Sequence, residues 1–261
     1  MYKIIKLFLL LSITLVAYTD MDMDGVDDKN DQCPNTSLTE LVDLTGCTIK
    51  ELKSPHHFDI TVGYNYSKET NTTISTSSIQ ADYFYKNLSI QLSSSFYNSD
   101  IYNITDSGQN DTYLNGYYQL RPSNRFLLRV GGGVAFPTYN NSNNKIDYSL
   151  VLYGTYSYKK LSILGSMGYT LIGDRDDNLT SYYNTQFYNI GLGYYLTNSI
   201  YSSISYNSIS SIYNSSENIN SISFYNYYSI DNHWFLNLNY TYGLSDLAIK
   251  NSIGVKVGYY W

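Results

Sequence analysis

Hydrophobic and polar residues alternate along most of this chain. Lys250–Trp261 reads K-N-S-I-G-V-K-V-G-Y-Y-W, with Ile253, Val255, Val257, Tyr259 and Trp261 on one parity. The other parity carries Ser252, Gly254, Lys256, Gly258 and Tyr260. A period of two is the mark of a β-strand with one apolar face and one polar or small face. The pattern returns about a dozen times. It begins at His57–Ser67, where Phe58, Ile60, Val62, Tyr64 and Tyr66 share the apolar parity, and continues at Ile79–Lys86, Leu88–Asn98, Thr112–Arg121 and Phe126–Phe136. Asp147–Tyr158, Leu161–Ile172, Tyr182–Leu196, Ser199–Ser210, Ile219–Ile230, Trp234–Gly243 and Lys250–Trp261 complete the series.

The connections between these segments alternate in length. Those near Asn87, Pro122-Ser123-Asn124, Lys159-Lys160, Asn198 and Asp231-Asn232-His233 are short, whereas stretches such as Asn98–Asp111 and Gly173–Ser181 read as long polar loops. Short turns alternating with long loops are the habit of outer-membrane barrels, with the turns on the periplasmic side. The fold expected is therefore all-β: a transmembrane antiparallel up-and-down β-barrel of about twelve strands, with both ends in the periplasm. Tyrosines and tryptophans fall where such a barrel needs aromatic girdles. Tyr85, Tyr158, Tyr194, Trp234, Tyr259 and Trp261 lie on the turn side, and Tyr66, Tyr169, Tyr183 and Tyr242 on the loop side.

Composition supports this reading. Charged residues make up 15% of the 261-residue chain, below the roughly 25% of soluble domains. There are 32 tyrosines against 9 phenylalanines and 2 tryptophans, which suits surfaces that are apolar on one side and wet on the other. A net charge of −6 provides no basic footprint, so nucleic acid is not an expected partner. Met1 to Thr19 has Lys3 and Lys6 ahead of an apolar run from Leu7 to Ala17, the form of a secretory signal peptide and too short to span as a helix.

Asp20 to Cys47 has a different character. With Asp20 as position one, Asp20, Asp22, Asp24, Asp28 and Asp31 fall at the carboxylate positions of an EF-hand-like loop, Gly25 at its turn, and the carbonyl of Val26 at position seven. This oxygen-ligand spacing predicts calcium. In an exported chain the two cysteines, Cys33 and Cys47, suit a disulfide better than a metal pair. The run D-x-D-x-D-G-V-D-D-K-N-D-Q-C-P-N-T, followed by V-D-L-T-G-C, resembles a thrombospondin type 3 repeat of the kind found in bacterial outer-membrane proteins. That resemblance implies calcium held by Asp20, Asp22, Asp24, Asp28 and Asp31, and a Cys33–Cys47 bridge. The organisation expected is a signal peptide over 1–19, a calcium-binding repeat over 20–47 in the periplasm, a linker over 48–56 and a barrel over 57–261.

Inside the barrel the predicted lumen face is mostly Ser, Asn, Thr, Gly and Tyr, with Asp59, Asp82, Arg129 and Lys256 as its charges. Asp59 and Lys256 lie on the first and last strands, which must pair to close the barrel, and an ion pair between them is expected at the seam. Glycines 131–133, with Gly191 and Gly193, read as sites of curvature and close packing. No catalytic grouping is visible: His56, His57 and His233 start strands, and none lies in the H-x-S-N-G-like run of the outer-membrane phospholipases. Asp174, Asp176 and Asp177 read as a solvated loop tip. The function expected is a narrow channel for small solutes in contact with outer-membrane lipid, not an enzyme. The alternative is a structural or adhesion-type protein with a plugged barrel and a periplasmic partner docked at the calcium loop.

Overall fold

The structure is a computed structural model that describes residues 56–69, 71–140, 143–174, 181–213 and 217–261, with Asp20, Asp22, Val26, Asp28, 31–33, Thr36 and Thr45 of the N-terminal segment. The chain divides into Met1–Lys53 and Ser54–Trp261. The second unit consists of β1 (His56–Glu69), β2 (Thr72–Tyr85), β3 (Leu88–Ile101), β4 (Ile104–Gln109), β5 (Thr112–Ser123), β6 (Phe126–Phe136) and β7 (Asp147–Tyr158). It continues with β8 (Leu161–Leu171), β9 (Thr185–Tyr195), β10 (Ile200–Ile209), β11 (Ile219–Ser229), β12 (Trp234–Gly243) and β13 (Asn251–Tyr260).

All strands but β4 form one antiparallel ring: β3 pairs with both β2 and β5, each later strand pairs with the next, and β13 returns to β1. Twelve strands therefore close the wall, as the alternation implied. Closure is what hydrocarbon demands, because an unpaired amide has no water to turn to there. At the seam the ladder runs from Lys68↔Asn251 to Asp59↔Tyr260. It is extended by reciprocal bonds between the backbones of Phe58 and Trp261, both 3.0 Å. On the lumen side Asn65, Ser67 and Ser252 bond one another at 3.0–3.1 Å across the same seam.

The period-two pattern sorts side chains by face. Phe58, Ile60, Val62, Tyr64 and Tyr66 are all exposed on the outside of β1, while Asp59, Thr61 and Ser67 are buried inside it. Leu150 and Ile190, 62% and 61% exposed, carry the same apolar surface across β7 and β9. Such a surface suits lipid and not water. The aromatic positions predicted for the turn-side girdle, Tyr85, Tyr158, Tyr194, Trp234 and Trp261, are exposed on this outer face, as are Tyr66, Tyr169 and Tyr242 on the loop side.

Two connections differ from expectation. Those after the first and third strands, read as long polar loops, are paired strand. β1 and β2 stay in register to Glu69↔Thr72. β3 runs on to Ile101 and turns tightly through Tyr102 and Asn103, at φ 51° and 64°, into β4. Positive φ at both central residues matches the right-handed twist of a two-residue hairpin. β4 and β5 both pair with β3, but Phe96↔Gln109 and Ser93↔Tyr113 differ by one residue in register. Asn110 and Asp111 thus form a bulge between β4 and β5. These segments (Thr72–Ser78, Asn98–Gln109) are mostly polar on both parities, with Ile74, Ile101, Tyr102 and Ile104 falling on neither consistently, so the alternation that marks a strand in lipid is missing from them. Four of the five short turns fall where the sequence placed them, and the one read at Pro122-Ser123-Asn124 falls at Asn124-Arg125, because β5 runs on through Pro122 to Ser123.

Candidate functional site

The lumen is the site that the fold constructs, and its two walls differ. On β1, β2, β3, β5 and β6 it is polar. Asp59 and Asp82 face each other directly across β1 and β2, and are 8% and 5% exposed. Asp82 is fixed from both sides: Gln80 donates to Oδ2 at 2.6 Å and Gln91 to Oδ1 at 2.8 Å. The other end of the Gln91 amide accepts from the Tyr117 hydroxyl at 3.4 Å and from Asn115 at 3.5 Å. Arg129 lies 3.9 Å over the ring of Tyr117 and donates to Ser89 Oγ at 2.8 Å. Carboxylate, amides, phenol and guanidinium thus form one chain across three strand boundaries, in which each polar group restrains the next.

On β9 to β13 the wall is aromatic. Tyr195 packs on Tyr201 at 4.7 Å, and Phe235 contacts both Tyr227 at 5.7 Å and Tyr260 at 4.6 Å between ring centroids. The hydroxyls are anchored: Tyr201 to Ser162 at 2.9 Å, and Tyr225 to Asn237 at 2.8 Å. The register puts all of these residues on the lumen parity, since Tyr201 opposes Tyr195 and Tyr227, and Phe235 opposes Gly258. A tyrosine bound through its hydroxyl presents its ring face to whatever passes.

The four lumen charges read from sequence all lie on the inner parity, but only Asp82 and Arg129 belong to one network, linked through Gln91 and Tyr117. The seam ion pair does not form. Asp59 opposes Tyr260 and Lys256 opposes Gly63, four residue pairs away, or about 13 Å along the strand. The stem of Lys256 instead lies over Gly63, where a methyl group would meet its Cγ at 2.8 Å. The partner of Asp59 in register is another carboxylate. The aromatic wall was not among the sequence-predicted site residues, although parity could have found it: Tyr225 and Tyr227 share a face with Ser221 and Ser223.

In the N-terminal unit, Asp22 Oδ2 accepts the amide of Thr36 at 2.5 Å, and Asp31 Oδ1 accepts that of Cys33 at 2.8 Å. Cys33 is disulfide-bonded, while Asp24 and Cys47 lie outside the described residues. Among the described residues no three acidic, histidine or cysteine side chains are gathered to hold a metal. Asp174, in the loop after β8, accepts the amide of Lys145 at 2.9 Å; Asp176 and Asp177 lie outside the described residues.

A closed ring with an apolar outer surface, aromatic bands and short turns alternating with longer connections is an outer-membrane β-barrel. Residues 40–255 match the family described as "Putative MetA-pathway of phenol degradation", and the chain belongs to that family. The match leaves the acidic loop outside it. Among solved structures, the chain is similar to an outer membrane channel from Pseudomonas putida F1, with a TM-score of 0.64, 11% identity and coverage of 79% of this chain and 95% of that one. It is similar to the NanC porin at 0.57, with 15% identity and coverage of 77% and 98%. It is also similar to the KdgM porin in complex with disordered oligogalacturonate, at 0.53, with 11% identity and coverage of 76% and 98%. At these identities the likeness is one of fold. No curated protein matches the chain.

Proposed function

We propose that this barrel is an outer-membrane channel for small neutral solutes carrying an aromatic ring, phenols among them. The observation that carries the reading is the wall of Tyr195, Tyr201, Tyr225, Tyr227, Phe235 and Tyr260. It lines the lumen with ring faces and anchored hydroxyls, opposite a wall whose amides and carboxylates accept hydrogen bonds. A phenol stacks weakly on the first and donates to the second, and neither contact holds it long. Transit requires just such shallow binding. The family description, which concerns phenol degradation, supports the same solute class, and the fold shared with an outer membrane channel supports passage through the barrel.

Planar-bilayer recording tests this directly. Stable openings that phenol interrupts and glucose leaves alone are the expected result. A bilayer that stays silent would instead favour a plugged structural barrel, and openings indifferent to phenol would remove the aromatic solute.

For the acidic loop the reading remains calcium held by Asp20, Asp22, Asp24, Asp28 and Asp31 with the Val26 carbonyl, on the periplasmic side. Its support is the ligand spacing and the thrombospondin-type resemblance. Calorimetric titration of wild type against Asp24→Ala decides it; equal calcium uptake by the two would remove the site.

A further inference from the structure

A ring of twelve strands is only modestly wider than the eight-strand barrels whose interiors side chains fill outright. Whether this lumen is open or filled thus depends on how its large side chains lie. The inner-face glycines bear on that. A methyl group added at Gly258 would overlap the far end of the Phe235 ring, and its three nearest atoms, Cε2 at 2.6 Å among them, all belong to that ring. At Gly131 it would meet Tyr117 Cε1 at 2.6 Å, and at Gly168 Phe187 Cζ at 2.8 Å. Register makes each a directly opposed pair: Phe235↔Gly258, Tyr117↔Gly131 and Phe187↔Gly168. Real side chains do not approach a Cβ that closely, so each ring occupies space that only a glycine leaves vacant.

Outer-face glycines behave differently. A methyl group on Gly116 would meet nothing within 4 Å, and one on Gly154 or Gly165 nothing nearer than 3.6 Å and 3.9 Å. Glycine alone therefore does not draw a ring over itself; the covering is confined to the lumen.

We propose that Gly131, Gly168 and Gly258 are seats that hold the rings of Tyr117, Phe187 and Phe235 flat against the inner wall, and so set the bore through which solutes pass. A ring lying on the wall takes from the lumen only about its own thickness, about 3.5 Å, whereas one swung inward takes its full length. Filling a seat displaces the ring, because the opposing strand cannot move without breaking its ladder. The consequence for passage rests on the channel reading above; the seating itself does not.

Gly258→Ala is the most direct variant, since the three atoms nearest the added methyl all belong to the Phe235 ring. It should lose single-channel conductance relative to wild type, and Phe235→Ala in the same chain should restore it. Gly165→Ala on the outer face should conduct as wild type. Wild-type conductance in Gly258→Ala, or a loss that Phe235→Ala leaves unrepaired, would overturn the role in setting the bore. Solution NMR in detergent micelles reads the seat independently. The Gly258 Hα resonances should lie upfield in wild type and move downfield in Phe235→Ala, where the ring current is gone. Unchanged shifts would overturn the seating. Silence of the wild type with the upfield shift present would count against the channel and leave the seating standing.

Discussion

Asp231, in the turn between β11 and β12, accepts the amides of His233 at 2.8 Å and Trp234 at 2.7 Å. These donors favour the ionised carboxylate and hold its pKa below the usual range. A folded-state pKa below the unfolded one contributes stability that is complete above about pH 4 and lost as pH falls through the folded value. Asp231→Ala should therefore lower the urea midpoint in detergent micelles at neutral pH. The gap from wild type should close below about pH 4; a gap unchanged there would mean that the turn, not the charge, was lost. In the lumen, Asp82 is held by Gln80 and Gln91 at a fixed place on the polar wall. On the channel reading, Asp82→Asn removes a carboxylate from the lumen at the cost of one of the two accepted amide bonds, since a carboxamide has a single acceptor oxygen, and the reversal potential in a KCl gradient should move toward less cation selectivity.

At the scale of elements, the seam and the β3–β4 hairpin are opposite cases. The seam is necessary: each bond between β1 and β13 joins residues almost the whole chain apart, and lipid offers no substitute partner. Phe58→Pro removes the amide that donates to the Trp261 carbonyl at 3.0 Å. It should lower unfolding stability by about 1–3 kcal/mol, the cost of a lost bond and a stranded acceptor, measured by urea titration in micelles. The hairpin is dispensable to closure, because β4 pairs only with β3 while β3 reaches β5 below it. Deleting residues 100–105 should leave the heat-modifiable migration of the folded barrel on a denaturing gel unchanged.

For the whole molecule, the two faces of one strand should respond oppositely to the same substitution. Leu150 on β7 points into the lipid-facing surface and its neighbour Ser149 into the lumen. Leu152→Arg, on the same outer face at the middle of β7, should cost about 2–4 kcal/mol near the bilayer midplane, whereas Ser149→Arg should leave stability nearly intact and alter conductance. Equal destabilisation by both would mean that the wall does not separate lipid from water as described.

The amino-acid sequence alone determined which way almost every strand residue faces. Lipid outside and a polar lumen inside impose strict alternation, and alternation is a local property visible in Lys250–Trp261 or His57–Ser67 without any partner. It also located the short turns, to within a residue or two, where the alternation stops at Asn and Lys. It did not reveal the strands of Thr72–Ser78 and Asn98–Gln109, because above the membrane both faces meet water and the periodic signal vanishes. Nor did it fix the register at the seam. That offset belongs to the closed ring, in which the tilt and stagger of all twelve strands must agree, and it placed Asp59 opposite Tyr260 and beside Asp82, four residue pairs from Lys256. The same closure gathered the aromatic wall from five strands and laid Phe235 over Gly258. Parity alone places the tyrosines of that wall on the inner face, but which side chains meet across neighbouring strands depends on register, which exists only once the ring has closed.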